Sequence, residues 1–284
     1  MTTAVSKKDD GTIELTVTIP WTNIQKEYQE VTDAFSKEAE IAGFRKGKAP
    51  KKLVEDRLDS QKVYEEVVRR IVPKTYRDAI EAEKLRPAVT PKVELVEAAQ
   101  DKDWVLRFVT CERPKVTLGD YKDAIRTLKT AKQKKIWTPG EKPEEGEKKD
   151  QKPSLDDILA AVLTKLTVTI PSIMVESEVT RLLSDLIDQV KKLGLTVEQY
   201  LASTHRTSES LRAEYESQAQ RMISLELALE DIADKEGILV SDDELETMIK
   251  GAKTDEERKT LERDRYYLAS IMRRQKTLDF LAGV

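Results

Sequence analysis

The stretch that decides the fold runs from Thr12 to Ile19 and reads Thr-Ile-Glu-Leu-Thr-Val-Thr-Ile. Polar and apolar residues alternate along it without a break, so the apolar side chains share one face of an extended chain. This pattern predicts a half-buried β-strand that ends before Pro20. Thr22, with Gln25 three residues later, forms a capping-box pattern and predicts the start of a helix there.

The rest of the first third of the chain predicts a small α+β domain. A helix is predicted from Val63 to Ile80, and Pro73 is expected to kink or divide it. Two further strands are predicted at Val93 to Val96 and at Trp104 to Cys111, joined as a hairpin. We therefore expect residues 1–112 to combine a strand, helices and an antiparallel hairpin.

Residues 113–153 differ from the segments on either side of them. One basic helix is predicted from Tyr121 to Ile136. The segment from Pro139 to Pro153 has three prolines, two glycines and no large apolar side chain. Such a composition cannot bury enough apolar surface to offset the entropy of ordering, so a flexible linker is predicted there.

Residues 154–284 predict an elongated, all-helical domain with helical arms. The helices carry apolar stripes of Leu, Ile, Val and Met, and the last one is predicted to carry both Leu261 and Leu281. Three capping-box patterns mark helix starts: Thr196 with Gln199, Ser241 with Glu244, and Thr254 with Glu257. Most stripe residues are expected to form the core, whereas Met222, Met248 and Met272 are candidates for an exposed substrate-binding groove, because methionine adapts to varied partners.

A basic loop between two predicted helices is the main candidate for a binding site. Residues 43–50 read Gly-Phe-Arg-Lys-Gly-Lys-Ala-Pro. From Arg45 to Arg57, six basic residues stand against two acidic ones, a local charge of +4 on a chain whose net charge is −4. Phe44 is a large apolar ring in a predicted turn, which requires a pocket or a partner. The loop therefore predicts a site for an anionic partner, and nucleic acids are the largest polyanions in a cell.

No catalytic or metal-binding pattern is found in the sequence. The single histidine, His205, lies in a polar turn, and the single cysteine, Cys111, is predicted to be a buried structural thiol. One cysteine excludes an internal disulfide, and no metal-ligand spacing occurs, so no metal and no cofactor are expected. No apolar run approaches the ~20 residues that span a bilayer, so a cytoplasmic protein without membrane contact is expected.

The octapeptide resembles the ribosome-docking signature of the trigger factor family of chaperones, at Gly43, Phe44, Arg45, Lys46, Gly47, Lys48 and Pro50. The resemblance implies that Phe44, Arg45 and Lys46 contact an exit-tunnel protein of the large ribosomal subunit and nearby ribosomal RNA. It also implies an ATP-independent chaperone that holds unfolded or nascent polypeptides and can form a homodimer off the ribosome. The Thr-Ile-Pro break that ends at Pro171 and the closing Lys-Thr-Leu-Asp-Phe-Leu resemble the family's C-terminal arms.

Family members normally carry a prolyl-isomerase domain between the docking domain and the arms. The corresponding interval here, residues 113–153, is shorter than the ~50 residues that a packed domain needs. We therefore expect the isomerase domain and its activity to be absent.

Two alternative functions remain open from the sequence. The protein is an RNA- or ribosome-binding adaptor without chaperone activity if the basic loop and the basic helix Tyr121 to Ile136 both bind RNA. It is a structural helical assembly if its apolar grooves are buried in a homo-oligomer.

Overall fold

The structure is a computed structural model that describes residues 1–38, 60–133, 153–252 and 254–284. It divides into two compact units. The first comprises Met1–Arg113 and Pro171–Thr180, and the second comprises Pro114–Ile170 and Arg181–Val284. An antiparallel sheet with helices is followed by an all-helical region, which confirms the predicted fold class.

A four-stranded antiparallel sheet forms the centre of the first unit. Its strands are β1 (Thr2–Lys7), β2 (Thr12–Ile19), β3 (Lys92–Glu97) and β4 (Trp104–Cys111), in the order β1-β2-β4-β3. The bounds of β2 and β4 are those predicted from alternation. Strand β1 was not predicted, because its residues are mostly polar and exposed, and it is defined instead by its antiparallel pairing with β2.

Two helices, α1 (Trp21–Glu38) and α2 (Ser60–Glu83), pack with the sheet. The apolar face of β2 and β4 is buried in this core, and the rings of Tyr76 and Phe108 lie 5.2 Å apart. Helix α2 continues through Pro73 as one element, so the proline does not divide it. Val72, Tyr76 and Ile80 pack against the core on both sides of the proline, and this packing offsets the hydrogen bond that a proline removes.

The start of α1 also differs from its prediction. The helix begins at Trp21, directly after Pro20, and not after a cap at Thr22. The carbonyl of Pro20 accepts hydrogen bonds from Asn23 and Ile24. The first helical N–H, that of Trp21, donates to Asp103 Oδ1 at 2.8 Å. A carboxylate from the β3–β4 turn therefore takes the place of a local cap.

The second unit is built from helices and one short ribbon. In chain order its elements are β5 (Thr117–Leu118), α3 (Tyr121–Gln133), α4 (Leu155–Thr164), β6 (Leu166–Thr167), α5 (Ser172–Lys192), α6 (Val197–Thr204), α7 (Ser208–Lys235), α8 (Asp242–Lys250), α9 (Asp255–Arg263) and α10 (Arg265–Gly283). Helix α5 begins in the first unit and continues into the second. Strands β5 and β6 pair antiparallel. The helices α3, α4, α7 and α10 share one core, which includes Ile125, Val162, Ile232 and Leu281.

Several helix starts in the second unit confirm the sequence patterns. Thr196 and Ser241 each form a full capping box, with Gln199 and Glu244 respectively. The Thr254 side chain accepts a hydrogen bond from the third residue of α9. The predicted single last helix is wrong, because the chain breaks between α9 and α10 at Asp264, whose φ and ψ of −99° and 28° are not helical.

Among the described helices, none combines the length and apolar character needed to cross a bilayer. The predicted short helix around Leu53 and most of the predicted linker from Pro139 to Pro153 lie outside the described residues.

Candidate functional site

An open apolar groove lies among α8, α9 and α10 in the second unit. Its volume is about 700 Å³, within the range of sites that bind small molecules or a few side chains. The apolar part of the wall is contributed by Met248, Ala252, Leu261, Leu268 and Met272. Asp243, Glu244 and Glu257 are its acidic lining residues.

The start of α8 sets one side of this groove. Ser241 Oγ accepts from the Glu244 N–H at 3.3 Å, and Glu244 Oε2 accepts from the Ser241 N–H at 2.8 Å. Leu245 and Ile249 are buried, whereas Met248, on the neighbouring part of the helix surface, is half exposed and lines the groove. The capping box therefore fixes where α8 begins, and the burial of Leu245 and Ile249 leaves Met248 available to the groove.

Two cations of α10 hold this helix beside α8. Lys276 Nζ donates to Glu244 Oε2 at 2.7 Å and to the Leu239 carbonyl at 2.9 Å. Arg273 donates to the Ile238 carbonyl at 2.8 Å and to Asp234 at 2.7 Å. These bonds tie α10 to the connection between α7 and α8.

The same contacts determine the charge of Glu244. The hydrogen bond from Lys276, followed by the bond from the Ser241 N–H, holds the pKa of Glu244 below its ordinary value. Glu244 is therefore ionised at neutral pH, beside an apolar groove wall.

Exposed apolar side chains of α10 border the groove. Tyr266 is 94% exposed, Tyr267 is 70% exposed and Ile271 is 48% exposed. Since Tyr267 and Ile271 are one helical turn apart and precede Leu268 and Met272 by one residue, the exposed stripe and the groove wall are neighbouring faces of one helix. We call Tyr266, Tyr267 and Ile271 the α10 ridge. A large exposed apolar surface of this kind is typical of an interaction site.

The structure brings together two of the three methionines singled out in the sequence. Met248 and Met272 both line the groove. Met222 is also exposed, but it lies on α7, does not line the groove and is 3.9 Å from Gln218 Nε2 through its sulfur. The sequence patterns did not identify other parts of the site, namely the lining residues Leu261 and Leu268 and the α10 ridge. The adjacent Tyr266 and Tyr267, which cannot both face a core, were the available signal.

The predicted ribosome-docking residues lie outside the described part of the chain. These are Gly43, Phe44, Arg45, Lys46, Gly47, Lys48 and Pro50. The described helices on either side, α1 and α2, pack against each other, with the rings of Tyr28 and Tyr64 5.2 Å apart. The role of the docking residues remains a prediction.

The basic helix α3 uses cations within its own unit. Lys122 Nζ lies 2.7 Å from Glu236 Oε1, and the same carboxylate oxygen accepts from the hydroxyl of Tyr121 at 2.6 Å. Lys129 Nζ donates to the Ala282 carbonyl at 3.1 Å, near the end of α10. Two of the charges that the sequence offered for RNA are therefore engaged in packing α3.

The two residues considered for chemistry have structural positions. His205 is exposed and ends α6 in the left-handed conformation, with φ of 54°. Cys111 is buried, and burial raises the pKa of its thiol to about 11, so it is not a thiolate at neutral pH. Across the four described ranges, no group of three His, Cys, Asp or Glu side chains is arranged to hold a metal ion.

Comparisons with known proteins identify the family. The family model described as bacterial trigger factor protein matches residues 1–138, and the one described as bacterial trigger factor protein C-terminus matches residues 141–282. Fold and sequence together therefore define a two-part protein class, an α+β unit followed by a helical unit. The chain belongs to the trigger factor family.

Curated relatives agree with this assignment. The trigger factor of Staphylococcus epidermidis is 32% identical over 122 residues, and that of Staphylococcus aureus is 30% identical over 122 residues. Each match covers 43% of this chain and spans 28% of the length of the relative.

One solved structure has a similar fold. It is described as "Promiscuous Substrate Recognition in Folding and Assembly Activities of the Trigger Factor Chaperone". Its TM-score is 0.64 with 15% identity, and the match covers 100% of this chain and 99% of that chain.

The two family models also show which domains the middle of the chain contains. Only residues 139 and 140 lie between the matched ranges. The chain therefore carries the two trigger factor domains and no isomerase domain between them.

Proposed function

We propose that the protein is an ATP-independent chaperone that holds unfolded or nascent polypeptides in the groove of α8, α9 and α10. The observation that carries this proposal is the groove itself, an open apolar surface in the family's C-terminal domain with the α10 ridge beside it. Burying apolar surface contributes about 25 cal/mol per Å². A flexible client loses part of that gain when it becomes ordered, so binding is weak and reversible, as holding without nucleotide requires.

Suppression of client aggregation tests the groove. The double variant Met248→Ser with Met272→Ser places two hydroxyls in the apolar wall, and we expect the concentration needed for half-maximal suppression to rise several-fold. Met222→Ser is the matched control, because it changes an exposed methionine of the same unit away from the groove. Equal loss in the control, or no loss in the double variant, would contradict a client site in the groove.

For the first unit we propose docking on the large ribosomal subunit through Phe44, Arg45 and Lys46, in the cytoplasm. Supporting it are the family membership and the local charge of +4 on an acidic chain. The partners would be an exit-tunnel protein and nearby ribosomal RNA, with Gly43, Gly47, Lys48 and Pro50 shaping and charging the loop.

Co-sedimentation with ribosomes tests this docking. Phe44→Ala with Arg45→Ala and Lys46→Ala is expected to abolish co-sedimentation and leave thermal unfolding nearly unchanged. Lys62→Ala with Lys74→Ala is the control, since it removes the same positive charge from exposed positions of α2. Equal loss of ribosome binding in the control and in the triple variant would contradict specific docking through residues 44–46. It would mean that the overall positive charge of the first unit attracts the ribosome.

The alternative functions give different results in simple assays. An RNA adaptor would bind naked RNA with a steep salt dependence and would not suppress aggregation. A helical assembly protein, or the homodimer that the family implies, would show a concentration-dependent mass in analytical ultracentrifugation. We expect no acceleration of prolyl isomerisation on a short peptide substrate.

A further inference from the structure

Helix α5 begins without a capping side chain of its own. The residue before it is Pro171, whose carbonyl accepts hydrogen bonds from Met174 and Val175. The side chain of proline offers no acceptor, so the first N–H groups of α5 need another partner. Other helices have a local cap: α4, α6, α7 and α8 follow Ser154, Thr196, Thr207 and Ser241, each of which accepts a backbone hydrogen bond.

The missing cap of α5 is supplied by Asp10, 162 residues earlier in the chain. Asp10 Oδ2 accepts from the Ser172 N–H at 3.1 Å and from Ser172 Oγ at 2.9 Å. The same carboxylate accepts from the Thr12 N–H at 2.9 Å and from Thr12 Oγ1 at 2.8 Å. One side chain thus joins the turn between β1 and β2 to the first turn of α5.

The surroundings of Asp10 favour its ionised form. Partial burial by itself would raise the pKa of Asp10, but the hydrogen bonds from Ser172 and Thr12 outweigh it and hold the pKa well below its ordinary value. A charged acceptor at a helix N-terminus also interacts favourably with the helix dipole. The contact is therefore intact at neutral pH.

Other contacts lie beside this carboxylate. Gly11 has a φ of +88°, which favours glycine in the turn, and a Cβ there would stand 3.4 Å from Pro171 Cγ, at van der Waals distance. An exposed ion pair, Lys92 with Glu176 at 3.3 Å, adds little. Ile173 and Val179 are the buried apolar residues of this stretch.

We propose that Asp10 is a latch that fixes the first turn of α5 to the sheet, and that opening it loosens residues 171–180 while the sheet itself stays folded. These residues belong to the first unit although they follow Pro114–Ile170, which belongs to the second, so contacts with earlier residues such as Asp10 hold them there. This inference does not depend on the proposed chaperone function.

Amide hydrogen exchange tests the contact directly. The Ser172 N–H has no intrahelical partner and donates to Asp10, so its protection reports on the latch. In Asp10→Ala we expect Ser172 to exchange roughly tenfold faster, as for a lost cap, while Val17 in the sheet changes less than about twofold. Asp9→Ala, which removes the neighbouring exposed carboxylate, is the matched control and is expected to leave both amides unchanged.

Distances within the first unit test the anchoring. Labels at Lys62→Cys and Ser177→Cys place one probe on α2 and one on the part of α5 that belongs to the first unit. The distance distribution is expected to broaden in Asp10→Ala and not in Asp9→Ala. An unchanged distribution, or an equal loss of protection at Ser172 and Val17, would overturn the latch. If Asp10→Ala does not fold, Ser172→Ala, which removes one of the four hydrogen bonds, replaces it with the same expected directions.

Discussion

Helices begin differently in the two units. In the second unit, serine or threonine directly before the helix supplies the cap of five helices, α4, α6, α7, α8 and α9. In the first unit, α1 and α5 both follow a proline and take their cap from an aspartate in a distant turn, Asp103 or Asp10. A local cap stabilises only its own helix, whereas a distant cap joins two elements and makes their stabilities depend on each other.

The two distant caps lie at opposite ends of the sheet. At one end, Thr12, two residues after Asp10, pairs with Cys111. At the other end, Ile19 pairs with Trp104, the residue directly after Asp103. They share no partner, so their effects are expected to add.

The largest expected effect comes from removing both distant caps. Asp10→Ala with Asp103→Ala should lower the free energy of unfolding by about 2–4 kcal/mol, since each removes a charged acceptor from a helix start. Urea unfolding of the double and both single variants measures this sum. Asp103→Asn, which keeps an oxygen for the Trp21 N–H, should recover most of the loss at that end. A double variant no weaker than either single variant would mean that the two caps act as one.

Acid should weaken the distant cap at Asp10. Because the pKa of Asp10 is lowered on folding, its contribution is complete above the unfolded pKa of about 3.9 and is lost as the pH falls below that value. Asp10→Asn has no such titration. We expect the stability difference between wild type and Asp10→Asn to shrink by about 1 kcal/mol between about pH 5 and pH 2.5, after allowance for solvent screening. A difference that is constant with pH would contradict the lowered pKa.

A local cap should matter less and act more narrowly. Ser241→Ala removes the acceptor for Glu244 N–H and is expected to cost about 1 kcal/mol, with faster amide exchange confined to the first turn of α8. Ser241→Asn should restore the cap. Loss of protection that spreads into α7 or α10 would show that this cap is not local in its effect.

The smallest effect is expected at Thr254. Helix α9 has no buried residue, so Thr254→Ala should cost about 0.5 kcal/mol and fray only that helix. Thermal unfolding of this variant beside Ser241→Ala gives the comparison. A larger shift for Thr254→Ala than for Ser241→Ala would contradict the link between the burial of a helix and the effect of its cap.

The same contrast explains how much of the fold was predictable. Strands β2 and β4 and the caps at Thr196 and Ser241 depend on residues within a few positions of each other, and sequence patterns identified them. The cap at Thr22 was predicted wrongly because the true acceptor, Asp103, is 82 residues away. Strand β1 has no alternation of its own and exists through pairing with β2.

The candidate site was predictable only in part for a related reason. Sequence identified Met248 and Met272 as adaptable apolar residues, but it gave Met222 the same weight. Which methionines line the groove depends on which helix faces the core leaves uncovered, and contacts such as Lys276 with Glu244 contribute to that arrangement. No local pattern records such a contact.

The thioethers of Met248 and Met272 make the groove sensitive to oxidants. Peroxide would reach half-exposed Met248 more readily than the better covered Met272. Conversion to the sulfoxide would place a strong dipole in an apolar wall and weaken its contact with hydrocarbon side chains, until a reductase restored the thioether.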